Sequence, residues 1–184
     1  MIEKLLTADK TVFRTQEIAN ILAVPVDKRL WARIQYYVAR GKLIRLSKGI
    51  YALSLAYDRL ELGNALRRPS YVSLYTVLQQ EGVIFQSYQP LYFVADRSET
   101  VTIHGQEFVY RKIKDDILAH PLGIHFGANL ASASIERAIA DKIYLDGNEY
   151  FDNLRSIDWE RMKQLNRLVY RSARLDKFIE KNHA

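Results

Sequence analysis

Between Val26 and Gly41 the apolar positions recur at the spacing of a helix buried on one side. With Leu30 at the centre of a helical wheel, Ile34, Tyr37, Val38 and Gly41 fall within roughly 80° of it. Lys28, Ala32, Gln35, Tyr36 and Ala39 lie opposite, and Arg29 sits on the flank. Gly41 supplies the left-handed terminator a helix of this kind uses. The period then shortens to that of strands. Leu43–Leu46 and Ile50–Leu53 are joined by Ser47-Lys48-Gly49, which predicts a short hairpin with a basic tip.

Upstream, Ile2, Leu5 and Leu6 predict a short apolar helix face, and Thr11-Val12-Phe13 is a β-branched run suited to a third strand beside the hairpin. Ile18, Ile21 and Leu22 then recur at helical spacing, with Thr15 as the expected N-cap and Pro25 as the breaker. Helix, strand, helix, turn, helix and hairpin within the first 54 residues is the order of a winged helix-turn-helix. We expect Trp31 and Tyr37 in the core of this module, while Tyr36 stays open between the core rim and an outer contact.

From about residue 55 the pattern mixes both periods, and residues 55–184 read as a second, mixed α/β domain, so the chain as a whole is α+β. Tyr57–Leu66 is helical, with Leu60 and Leu62 for packing. Ser70 is expected to cap a helix through Gly82, turning Val72, Leu74, Tyr75 and Leu78 inward. Leu91–Ala95, Thr100–His104 and Glu107–Ile113 alternate as strands, with His104-Gly105-Gln106 as a hairpin turn. Ile124–Phe126 and Asn129–Ala131 are shorter strand candidates. Ser132 or Ser134 opens a helix whose apolar face is Ile135, Ala138, Ile139, Ile143 and Leu145, ended by Gly147. A last helical region spans Trp159–Glu180, broken near Ser172, with its buried side at positions 162, 165, 168 and 169.

Charge sharpens this division. The net charge is +6, and its distribution is uneven. Residues 1–53 hold ten Lys and Arg against four acids, 54–160 hold ten against fifteen, and 161–184 hold seven against two. The basic head suits a polyanion, because Lys and Arg displace condensed counterions from phosphates. Lys28, Arg29 and Gln35 are placed to reach base edges. Arg33, Arg40, Arg45 and Lys48, with Ser47 in the hairpin tip, are placed for the phosphate backbone. The basic tail suits nucleic acid, an acidic partner or the acidic middle of the chain itself.

Other classes find little support. Apolar residues make up 48% of the chain, enough for a core. No apolar run is long enough to span a membrane, and the N-terminus lacks the pattern of a secretory signal. The absence of cysteine excludes disulfides and thiolate metal sites and is compatible with a reducing cytoplasm. There is no Gly-rich phosphate loop, zinc-binding helix or nucleophile elbow. His104, His120, His125 and His183 lack metal-ligand spacing. Glu136 and Asp141, five residues apart on one helix, form no obvious carboxylate pair, and Asp141 is expected to bond locally or to an arginine. We therefore expect no catalytic residue, no cofactor and no metal.

The hairpin RLSKGIYAL, then RPSYVSLYTVLQQEGVI, VTIHGQEFVYRKI and ASIERAIADKIYL, taken in that order, resemble the AbiEi-type antitoxins of abortive-infection toxin–antitoxin systems. The resemblance covers about residues 10 to 146. It implies an N-terminal winged helix that binds DNA and represses its own operon, with Lys28, Arg29, Arg33, Arg45 and Lys48 by position as DNA contacts. It also implies a C-terminal domain that counteracts a nucleotidyltransferase-like toxin in phage defence, by direct contact or indirectly, in the cytoplasm. One such module covers few base pairs, so an operator with repeats is expected, bound by a homodimer or by cooperating monomers. Two other classes remain: a stand-alone winged-helix transcription regulator with a ligand-sensing or dimerisation domain, and a nucleic-acid enzyme.

Overall fold

The computed structural model describes residues 1–147 and 149–183. It is α+β, and it divides into two compact units between Leu66 and Arg67.

The first unit begins with α1 (Ile2–Leu6), β1 (Val12–Arg14) and α2 (Thr15–Leu22), and continues through α3 (Lys28–Ala39), β2 (Ile44–Ser47), β3 (Ile50–Ala52) and α4 (Arg59–Leu66). β3 lies at the centre of an antiparallel sheet, pairing with β1 on one side and β2 on the other. The core gathers Leu5 of α1, Phe13 of β1, Ile18 and Leu22 of α2, Leu30 and Ile34 of α3, Leu43 just before β2 and Tyr51 of β3. Leu6 departs from expectation, at 65% exposed. Leu5 and the half-buried Ile2, three residues apart, take the inward side of α1, and Leu6 lies off it.

Capping explains where the helices begin. Glu17 accepts a 2.8 Å hydrogen bond from the Arg14 backbone N–H, so Arg14 is the N-cap of α2 and Thr15 is its first helical residue. The N-cap of α3 is Asp27, whose carboxylate accepts from the Leu30 N–H at 2.9 Å. Gly41, at φ 65°, follows α3 in the left-handed conformation the sequence predicts.

The first unit extends past residue 54 because α4 is tied to β1. Glu61 is buried, and one of its oxygens accepts from the Thr11 N–H, the Thr11 hydroxyl and the Val12 N–H at 2.8, 2.6 and 3.0 Å. Tyr57–Leu66 thus closes the first unit instead of opening the second. Glu61→Ala leaves the buried Val12 N–H and the two part-buried Thr11 donors without their acceptor. We expect a loss of about 1–3 kcal/mol, read as a lower urea midpoint of the full chain at unchanged slope.

The second unit carries β4 (Ser70–Val72), α5 (Leu74–Gln80), β5 (Leu91–Ala95), β6 (Glu99–Ile103), β7 (Gln106–Lys112) and α6 (Asp115–Ala119). They are followed by β8 (Ile124–Phe126), β9 (Ala131–Ala133), α7 (Ile135–Asp146), α8 (Trp159–Leu165) and α9 (Ala173–Asn182). The strands form a mixed sheet in the order β6-β7-β5-β4-β9-β8. The β5–β7 and β4–β9 pairs are parallel. His104 and Gly105, both at positive φ, make the two-residue turn between β6 and β7. α7 packs against α5, α8 and α9.

Ser70 does not cap a helix. Ser70, Tyr71 and Val72 pair with Ala95, Val94 and Phe93 of β5, and the helix starts three residues later than expected, with Ser73 as its N-cap. A π-helical turn, Asn166–Tyr170, follows α8 and ends at Arg171 in the left-handed region. The Asn166 side chain accepts from the Ser172 N–H at 2.9 Å and donates to the Asp176 carboxylate at 2.6 Å, which fixes the break expected near Ser172. Met162 and Leu165 are buried as predicted, but Leu168 is 43% exposed, because the wider π turn brings Asn166 and Tyr170 inward instead.

Candidate nucleic-acid interface

α3 is sharply two-sided. Leu30 and Ile34 are buried and Tyr37 and Val38 are half-buried, whereas Lys28, Arg29, Trp31, Ala32, Arg33, Gln35, Tyr36, Ala39 and Arg40 are exposed. Besides Trp31 on one flank, the exposed side resolves at roughly 100° per residue into two adjoining rows. One is Lys28, Ala32, Gln35 and Ala39; the other is Arg29, Arg33, Tyr36 and Arg40. Among the described residues, Lys28, Arg29, Arg33, Arg45 and Lys48 make no ion pair or side-chain hydrogen bond within the chain. Four guanidinium and ammonium groups along one outward face of α3, unneutralised, favour an anionic partner.

The hairpin adds cations to the same unit. The Tyr37 carbonyl at the end of α3 accepts from the Lys42 and Leu43 N–H groups at 2.9 and 3.2 Å, which fastens the hairpin to the helix. In β2, Leu46 turns into the core while Arg45 stays exposed, and the register shifts between Arg45 and Ser47. Lys48 is exposed at the tip. Ser47 is half-buried, so of the expected hairpin residues it offers the least surface.

The tip is held from below. The Gly49 carbonyl accepts from the Thr15 backbone N–H at 2.9 Å and from the Thr15 hydroxyl at 3.3 Å, at the start of α2. Gly49 sits at φ +73°, and a Cβ there would lie 3.3 Å from the Thr15 hydroxyl oxygen. Gly49→Ala is therefore expected to cost about 1–2 kcal/mol, measured by urea unfolding, through the left-handed strain alone.

The aromatic residues divide differently from expectation. Tyr37 packs on the core. Trp31 is 40% exposed, not a core residue, because its turn of the helix lies outside the arc that Leu30 and Ile34 bury. Tyr36 is 51% exposed, and the Arg40 guanidinium lies 4.7 Å from its ring centroid. This pair, one turn apart, was legible only as an i, i+4 spacing of an aromatic and an arginine.

The second unit holds a different cluster, which is sealed. Asp141 and Arg137, both with fully buried side chains, lie one turn apart on α7, with Arg137 Nε 3.7 Å from Asp141 Oδ1. The Asp141 carboxylate accepts from Tyr71 Oη, Ser73 Oγ and Tyr170 Oη at 3.1, 2.7 and 2.6 Å. Arg137 donates to the Ile117 and Leu122 carbonyls at 2.6 and 2.8 Å. Burial pushes the Asp141 carboxyl up from the ordinary range, against the pull of Arg137 and the three hydroxyls. Desolvation likewise pushes the Tyr71 and Tyr170 hydroxyls well up, so they stay protonated donors. The expected local bonding of Asp141 is thus answered by one arginine and three hydroxyls, and the cluster presents no atom to solvent at its centre.

Elsewhere in that unit, an open groove of about 620 Å³ is lined by residues of both signs, including Asp158, Glu160, Arg161 and Lys163. Among the described residues no group of three or more His, Cys, Asp or Glu is arranged to hold a metal ion. No helix among the described residues is long and apolar enough to cross a membrane. A scan against protein-family models finds no match for the chain, and a search of curated proteins finds none either.

Proposed function

We propose that the chain is a DNA-binding antitoxin of the AbiEi kind. In this reading the first unit is a winged helix-turn-helix, with α3 as the helix that enters the major groove and the β2–β3 hairpin as its wing. It represses its own operon at an operator with repeats, occupied by a dimer or by cooperating monomers. The second unit counteracts a nucleotidyltransferase-like toxin. The chain acts by binding rather than catalysis, in the cytoplasm.

One observation carries the DNA-binding half: α3 and the hairpin bury Leu30, Ile34, Leu46 and Ile50 and leave Lys28, Arg29, Arg33, Arg45 and Lys48 exposed and unpaired among the described residues. A solvated charged surface needs no such segregation of cations from acids. Only Asp27, at its N-cap, brings a carboxylate to α3 or the β2–β3 hairpin, and it is occupied by the Leu30 N–H. The antitoxin half is supported by the ordered sequence resemblance.

The test is a gel-shift titration of full-length protein on a duplex from its own promoter region, repeated across salt concentrations. Lys48→Ala is expected to weaken binding to every sequence and to lower the salt slope by roughly one unit. Lys28→Ala or Arg29→Ala is expected to cost about 1–3 kcal/mol on the preferred sequence. Absence of any salt-dependent shift overturns the reading.

A further inference from the structure

The exposed side of α3 is not uniformly basic. In the row Lys28, Ala32, Gln35, Ala39, the side chains three residues before and four residues after Gln35 are single methyl groups. Gln35 is exposed at the middle of the helix, and among the described residues its amide has no side-chain hydrogen bond within the chain. The arginines Arg29, Arg33 and Arg40 stand in the adjoining row. The methyl groups of Ala32 and Ala39 lie between Gln35 and the arginine row, and the exposed Trp31, one turn before Gln35, borders it on the other side, so a surface can lie closely against the Ala32–Ala39 strip with the amide free to meet it.

The chemistry of that amide is selective. It carries a donor and an acceptor side by side, whereas Lys and Arg only donate. In the major groove adenine presents an acceptor at N7 beside a donor at N6, which an amide matches with two hydrogen bonds. Guanine presents two acceptors, N7 and O6, which suit arginine or lysine. A methyl group such as that of Ala32 offers an apolar contact to the C5-methyl of thymine. Resting on the DNA-binding reading above, we infer that Gln35 is the specificity-determining residue of α3. It reads an adenine in the major groove, and Ala32 packs against a thymine methyl on a neighbouring base pair.

The experiment is selection of bound duplexes from a random-sequence pool by full-length wild type, Gln35→Ala and Gln35→Arg. The wild type is expected to enrich a motif with one adenine that Gln35→Ala no longer requires, the other positions being retained. Gln35→Arg is expected to prefer guanine there. Replacing that adenine by 7-deazaadenine, which removes N7, is expected to weaken the wild type at least about fivefold and to leave Gln35→Ala unchanged. Because Gln35 is exposed, all three proteins should unfold at the same urea midpoint, so a change of motif is not a folding defect. If Gln35→Ala enriches the same bases as the wild type, the inference is overturned and DNA binding stands. If no form of the protein binds any duplex, both fall together.

Discussion

Asp141→Ala is expected to lower the unfolding free energy by about 3–5 kcal/mol, the largest effect of any single substitution considered for this chain. The carboxylate is fully buried and holds four partners, and its removal leaves the Arg137 guanidinium buried without an anion. The urea midpoint of the full chain, followed by far-ultraviolet circular dichroism, reads the loss. The double variant Arg137→Met with Asp141→Leu is expected to lose less than the sum of the single changes, because it strands no charge.

The pH dependence follows from the same burial. Asp141 is raised in the folded state above its ordinary 3.8. Its contribution to stability is therefore full below that value and is lost as the pH rises through the folded-state pKa. Relative to Asp141→Asn, the wild type should gain stability as the pH falls from neutrality toward 4. A constant difference between the two proteins across that range would refute the assignment.

The stretch from α3 through the hairpin was legible because its signals are local. The 3.6-residue period, Gly41 as terminator and the change to period two each lie within one element. The same holds for the His104-Gly105 turn. What escaped depends on partners distant in sequence. Ser70–Val72 is a three-residue strand that follows Pro69 and begins with a serine, and locally it resembles a capped helix start. Its strand character comes from pairing with β5 and β9. The residues of α7 read as one apolar face, yet Glu136, Arg137, Asp141 and Lys142 are buried as well, since neighbours surround the helix and satisfy each charge. The same blindness hid Glu61, whose partners Thr11 and Val12 lie some fifty residues upstream and move the unit boundary past α4. Trp31 was misplaced for another reason. Its bulk suggested the core, but its wheel position, roughly 100° from Leu30, lay outside the buried arc. Of the candidate interface, the exposed cations of α3 were legible from that wheel and Arg45 and Lys48 from the hairpin pattern, while the approach of Arg40 to the Tyr36 ring was legible only as an i, i+4 spacing.

On the antitoxin reading proposed above, repression and protection are expected to separate in a full-length variant that carries Arg33→Ala, Arg40→Ala, Arg45→Ala and Lys48→Ala. All four residues are exposed. Arg40 loses only a surface stack on Tyr36, so the fold should survive with little change in stability. If each contacts one phosphate, the salt slope of DNA binding falls by roughly three to four units, and at physiological salt the operator is left unoccupied. Full length matters here. A fragment beginning at residue 55 would contain α4 without β1, leaving Glu61 without the donors that justify its burial. Co-expression with the toxin, scoring growth and promoter activity separately, distinguishes the two functions. The expected result is a derepressed promoter with growth still protected, because the substitutions are confined to the first unit. Loss of protection in a variant that is folded and expressed at the wild-type level would show that DNA binding and toxin antagonism share the same surface, and the assignment of one function to each unit would fail.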